Sequence, residues 1–161
     1  MTNRTQLSLF VPPDVGKAIE AVRRVVDPEQ SRLIPAHVTL CREDELAAHR
    51  MEDIAARLAA SRPFALTLRF GAPERFHDHG ILLPCIGGAD AFDALRARLL
   101  APHQARPHAP HLTLAHPRNP RVPQNELSSA VSLEAGLTIT FTGVQLIEQE
   151  NGAPWQVLRE L

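Results

Sequence analysis

The tetrapeptide H-x-T-L occurs twice in this chain, as His37-Val38-Thr39-Leu40 and His111-Leu112-Thr113-Leu114. The two histidines are 74 positions apart (37 to 111), and so are Leu7 and Ile81 (7 to 81), each inside an apolar run ahead of its motif. A strand, a helix, a motif-bearing strand, a second helix and a further strand thus recur at one offset, the mark of an internal duplication. Such a recurrence constrains the fold strongly. Two similar halves must share a core and bring two similar tetrapeptides together.

The chain reads as a single domain, 1–161, long enough to bury a real core. The duplicated parts fall at about 5–70 and 79–142, and a C-terminal hairpin, 144–161, closes around Asn151-Gly152, a favoured turn pair. Residues 6–11 (QLSLFV) read as a strand ended by Pro12-Pro13. The spacing of Val15, Ala18, Ile19, Val22 and Val26 predicts a helix over 13–26, stopped at Asp27-Pro28 and followed by a loop. Residues 36–41 carry the first motif, 44–60 are helical in pattern, and 64–70 (FALTLRF) alternate as a half-buried strand does. In the second half 80–86 read as a strand, 90–100 as a helix with Asp90 at its N-cap, and 111–115 as the motif strand. A short helix over 124–133 and a strand over 137–142 complete it. The fold class expected is α+β, with two pseudo-symmetric lobes around a central cleft.

In a strand, residues i and i+2 point to the same face. His37 and Thr39 therefore share one face while Val38 and Leu40 face the core, and His111, Thr113, Leu112 and Leu114 divide in the same way. Two such tetrapeptides facing each other present two imidazoles and two hydroxyls to one ligand. That set suits in-line displacement at phosphorus. One neutral imidazole takes a proton from water, the other, protonated, gives one to the leaving oxygen, and the threonines donate to the non-bridging oxygens. Histidine serves both roles because its unperturbed pKa of roughly 6.5 leaves both forms available near neutrality. No metal is needed to activate the water. The bland alternative, two strand ends that each carry a surface histidine, leaves the matched spacing without a cause.

Composition narrows the partners. Net charge is -1 with histidine neutral, so a broad polyanion-binding surface is excluded, and a nucleic-acid ligand must be small or gripped locally. Tyr is absent, Trp155 stands alone and there are six Phe, thin equipment for a run of stacked bases. Cys41 and Cys85 suggest neither a disulfide framework nor a thiolate metal site, and both read as reduced thiols. The apolar run 7–11 is too short for a signal-peptide core or a membrane span, so a cytoplasmic protein without a membrane partner is expected.

The sequence resembles the 2H phosphoesterase superfamily, which includes 2'-5' RNA ligase-like proteins and RNA 2',3'-cyclic phosphodiesterases. HVTL and HLTL carry the likeness, framed by SLFVPPDV, PFALTLRF and APHLTLAHP, over roughly residues 5 to 161. The resemblance implies two lobes, each an antiparallel sheet backed by helices, with His37 and His111 as the catalytic pair and Thr39 and Thr113 on the phosphate. It further implies His111 as the base that activates water and His37 as the acid. The substrate implied is a cyclic 2',3'-type or 2'-5' phosphodiester on a small nucleotide or RNA end, cut without cofactor or metal and with no protein partner. Where many RNA-directed relatives read HLTLAR, this chain has His116, so Arg118 or His116 itself is expected to contact the phosphate.

Other polar residues have plainer readings. His77-Asp78-His79 has the alternation of a metal site, yet it lies where a turn is expected and lacks an evident third ligand. His103 and His108 read as loop residues at the cleft rim, His49 as an exposed helix residue, and Cys41 as packing. Arg42, next to Glu43, Asp44 and Glu45, reads as part of a surface ion pair. Two rival functions follow from the same residues. One is a module that binds a nucleotide or RNA end in the cleft without turnover. The other is a metal-dependent hydrolase using His77, His79 and a loop histidine.

Overall fold

A computed structural model describes residues 2–161. Its first strand, β1 (Asn3–Phe10), leads through the amphipathic helix α1 (Pro13–Val26) and the short α2 (Pro28–Leu33) to β2 (His37–Cys41). The short helices α3 (Glu43–Leu46) and α4 (Met51–Ala59) precede β3 (Leu66–Phe70), and β4 (Glu74–Phe76) turns back into the long β5 (Gly80–Gly87). Then come α5 (Ala89–Leu99), β6 (His111–Ala115), a 3-10 helix (Leu127–Leu133), β7 (Leu137–Phe141) and the closing hairpin of β8 (Gln145–Glu150) and β9 (Gln156–Glu160).

The strands form two antiparallel sheets. One has the order β2-β1-β8-β9, and in the other β5 pairs with β6, β4 and β3, with β7 beyond β3. The fold is α+β with antiparallel sheets and helices packed on them, as expected. The two halves of the chain are not the two sheets, however. β3 leaves the first half to join the second sheet, and the terminal hairpin supplies the strands that complete the first.

The two motif ladders are equivalent residue by residue. β1 pairs with β2 as Leu7↔Cys41, Ser8↔Thr39, Leu9↔Val38 and Phe10↔His37, with an irregularity between Leu7 and Ser8. β5 pairs with β6 as Ile81↔Ala115, Leu82↔Thr113, Leu83↔Leu112 and Pro84↔His111, with the irregularity between Ile81 and Leu82. Leu7, Leu9, Val38 and Leu40 are fully buried, and so are Ile81, Leu83, Leu112 and Leu114. A slip of one residue in either ladder would turn the core set outward and the histidine inward, so apolar burial fixes the register.

Helices cross between the ladders. α1, which follows β1, packs against β6, and α5, which follows β5, packs against β2 and β3. Each motif strand is thus backed by the helix of the other half.

Three elements differ from the reading of the sequence. The single helix expected over 44–60 is two: α3 starts with the Glu45 carboxylate accepting from the Arg42 amide and ends at Leu46, and the chain turns before restarting as α4 at Met51. The loop expected after Asp27-Pro28 is α2, with the Asp27 carboxylate accepting from the Gln30 amide and Pro28 in the first turn, a regular helix start. The stretch between Phe70 and Gly80 includes β4, and the short helix near 124–133 is a 3-10 helix.

Candidate active site

β2 and β6 lie side by side, with Cα atoms within 8 Å, without forming a ladder. Their core-facing residues hold them from below, and their other faces line one cleft of about 970 Å3. His37, Thr39, His111 and Thr113 all line it, as do His116 and Arg118. All six residues singled out in the sequence meet in one place.

The imidazoles are oriented alike. Nδ1–H of His37 donates to the Pro35 carbonyl at 2.9 Å, and Nδ1–H of His111 donates to the Ala109 carbonyl at 2.9 Å. A carbonyl only accepts, so each neutral ring carries its proton on Nδ1 and leaves Nε2 as the acceptor nitrogen. An aromatic ring confines each: Phe10 sits edge-on to His37 at 6.2 Å, and Phe76 tilts against His111 at 6.3 Å. Nε2 of His37 lies 3.5 Å from the Gln6 side-chain amide, which also donates to Ser8 Oγ at 2.8 Å. Burial pushes the His37 imidazole down to about 4, aided by the positive field of Arg23 and by His111 and His116, against the Pro35 bond. The free protein therefore holds His37 neutral.

Buried charge fixes the approaches to both motifs. Arg23, 0% exposed, donates to the Ile34 carbonyl at 2.8 Å and to Glu20 at 2.6 Å, while Glu20 accepts from the Ala36 amide immediately before His37. Arg96, 1% exposed, donates to the Leu40 and Arg106 carbonyls and forms a 2.6 Å ion pair with Glu45. Asp27, also buried, accepts from the His116 amide at 2.8 Å and from Asn119 Nδ2 at 3.0 Å. It ties the start of α2 to the loop after β6. His116 Nδ1 in turn accepts from the Arg118 amide at 3.1 Å, so the proton of the neutral ring is on Nε2. Burial lowers the His116 pKa, and the adjoining Arg118 lowers it further.

His108 does more than edge the rim. Its Nε2–H donates to the Thr39 carbonyl at 3.1 Å, so a loop residue of the second half is bonded to the motif strand of the first. Its Nδ1 faces an Arg42 guanidinium nitrogen at 3.4 Å, and its ring lies 5.8 Å from that of His111. Burial pushes it down to about 4, with Arg96 and Arg42 adding to the shift. Arg42 departs from the surface ion pair expected of it. Its acidic neighbours are taken by other arginines, Glu43 by Arg4, Asp44 by Arg106 and Glu45 by Arg96, and Arg42 is left on His108 at the cleft wall. The sequence holds no local sign of either contact, because both depend on the second half folding over the first.

His77 and Asp78 occupy a turn with positive φ, and the second ring is engaged elsewhere: His79 Nε2–H donates to the Asn119 carbonyl at 2.8 Å and Nδ1 faces Asp78 at 3.2 Å. Among the described residues, no three His, Cys, Asp or Glu side chains are placed to hold an ion. His49 stacks edge-on with His103 at 4.9 Å, away from the cleft lining.

The model of the 2'-5' RNA ligase superfamily matches residues 11–153. The chain belongs to that superfamily. Among solved structures, E. coli LigT complexed with ATP is 17% identical, covers 99% of this chain and 96% of its own, and superposes with a TM-score of 0.60. E. coli LigT complexed with 3'-AMP gives 16% identity, the same coverages and a TM-score of 0.61. A structure described as a phosphoesterase gives 16% identity, coverage of 100% and 98%, and a TM-score of 0.60. At such identities the likeness is one of fold. No curated protein matches the sequence. The superfamily is a group of 2H phosphoesterases, the family that the sequence resembles. Among the described residues, no helix is long and apolar enough to cross a membrane.

Proposed function

We propose that this 2H protein is a metal-independent phosphoesterase that opens a cyclic 2',3'-type or 2'-5' phosphodiester on a nucleotide or RNA end. The observation that carries this is the matched pair of imidazoles lining one cleft, each with Nδ1 spent on the carbonyl two residues upstream, which leaves Nε2 as its acceptor nitrogen. In this scheme His37 Nε2 takes a proton from water as the oxygen attacks phosphorus, and His111, protonated, gives one to the ribose oxygen as its P–O bond breaks. The products are a phosphomonoester and a free hydroxyl. This order, with the neutral His37 of the free protein as acceptor, is the reverse of the one implied by the family resemblance. Thr39 and Thr113 donate to the non-bridging oxygens, and His116 Nε2–H with the Arg118 guanidinium supplies the positive side of the phosphate pocket. The solved complexes of LigT with ATP and 3'-AMP support a small nucleotide as ligand.

The test is hydrolysis of 2',3'-cyclic nucleotides and of cyclic-phosphate-ended RNA in the presence of EDTA. Turnover is expected to persist, and His37→Ala and His111→Ala are each expected to lower kcat at least ~100-fold, the usual loss on removing a general acid or base. Tight binding of a 2'-phosphate product with no cleavage of any substrate would instead make this a binding module.

A further inference from the structure

We propose that Arg4 and Trp155 form a seat for a single nucleobase at the far end of the cleft, so that the ester acted on carries an aromatic base. This rests on the phosphoesterase reading above, which already takes a nucleotide, and adds to it the residues that hold the base.

The cleft is far larger than a phosphate requires. At about 970 Å3 it falls in the range of roughly 300–1,000 Å3 that houses whole drug-sized ligands. The His and Thr side chains of the two motifs account for one part of its wall. The remainder includes Arg4, Gln6, Gln30, Leu33 and Trp155. Here the Arg4 guanidinium lies over the Trp155 indole, its carbon 5.5 Å from the ring centroid. A cation stacked on an indole is a flat, polarisable surface whose second face can take another ring.

The seat is also held in place. Trp155 is half-buried, and its backbone N–H donates to the Leu33 carbonyl at 2.8 Å, fixing it to the end of α2. Arg4 meets Glu43 only loosely, at 3.8 Å with both side chains about half exposed, so its guanidinium is not consumed by that pair.

Position relative to the imidazoles completes the case. Gln6, whose amide lies 3.5 Å from His37 Nε2, is two residues from Arg4 on the same strand and therefore on the same face. Two residues of strand span roughly 7 Å. That is about the reach of one nucleoside from its phosphate to its base. Stacking reads the face of a base and not its hydrogen-bonding edge, so this seat is tolerant of base identity.

The chain contains one tryptophan, so intrinsic fluorescence reports on the seat whether or not the protein turns substrate over. Adenosine and uridine 2'-monophosphate are expected to quench Trp155 emission saturably, and inorganic phosphate, which reaches only the imidazole end, is expected to leave it unchanged. Nucleotide binding seen by calorimetry with no change in emission, or equal quenching by phosphate, overturns the seat. Either result leaves the catalytic reading standing if cyclic nucleotides are still hydrolysed. In kinetics with adenosine 2',3'-cyclic phosphate, Trp155→Ala should raise KM about 10-fold with a much smaller change in kcat, as loss of one stacking contact predicts. Trp155→Phe should recover most of it. An unchanged KM in Trp155→Ala, or a defect confined to kcat, argues against the seat.

Discussion

His37 shows how much a strand environment can do to one side chain. The same backbone that aims its Nε2 at the cleft removes the ring from water on its other sides, and Arg23, His111 and His116 each make a positive charge there more costly. The pKa near about 4 lies below the ordinary 6.5, so the neutral, proton-accepting form is lost only as pH falls through that lower value. We expect the acid limb of the kcat/KM profile, which reports the free protein, to lie well below 6.5, towards 4. An acid limb that stays near 6.5 would show that His37 is not the acceptor. At this scale the sequence was informative where chemistry and periodicity coincide: both histidines and both threonines line the cleft, and so do His116 and Arg118, to which the family resemblance pointed. It read His108 only as a rim residue and Arg42 wrongly as part of a surface ion pair. Their roles arise from a bond to the Thr39 carbonyl and a contact between their side chains, neither of which leaves a trace in residue order.

At the scale of elements, strands and their registers were legible because burial alternates along them, whereas the break between α3 and α4 was not. Glu45, which caps the start of α3, has its carboxylate bonded to a guanidinium contributed by α5. The pair is almost wholly buried, with 1% and 6% of the two side chains exposed. Removing one partner leaves a buried charge unmatched, which commonly costs about 3–5 kcal/mol. Glu45→Ala is accordingly expected to lower unfolding free energy by about that much in urea titration, because Arg96 retains only the Leu40 and Arg106 carbonyls. A loss under ~1 kcal/mol would mean that the carboxylate is dispensable. α2 was within reach of the sequence, since Asp27 followed by Pro28 is a helix start as well as a stop.

At the scale of the whole molecule, the two ladders agree in register and in the place of their irregularity, and we propose that they reflect a doubled unit. The sequence offset pointed there. What it did not reveal is that β3 and the C-terminal hairpin trade places between the sheets, because strand exchange changes no local pattern. The hairpin is consequently structural. Removing residues 144–161 strips β1 of β8 along six paired positions and uncovers Leu7. The shortened chain is expected to lose cooperative unfolding in circular dichroism. A truncated protein with an intact thermal transition would contradict this dependence of the first sheet on its last strands.

This arrangement also sets an order of events during synthesis. When β1 leaves the ribosome its partner β2 follows soon after, but β8 emerges only after β3 to β7. The N-terminal strand must therefore wait with one edge unsatisfied, while β3 to β7 have every partner they need at hand. The second sheet is thus complete in chain order before the first, whose β1 gains its second neighbour only with β8.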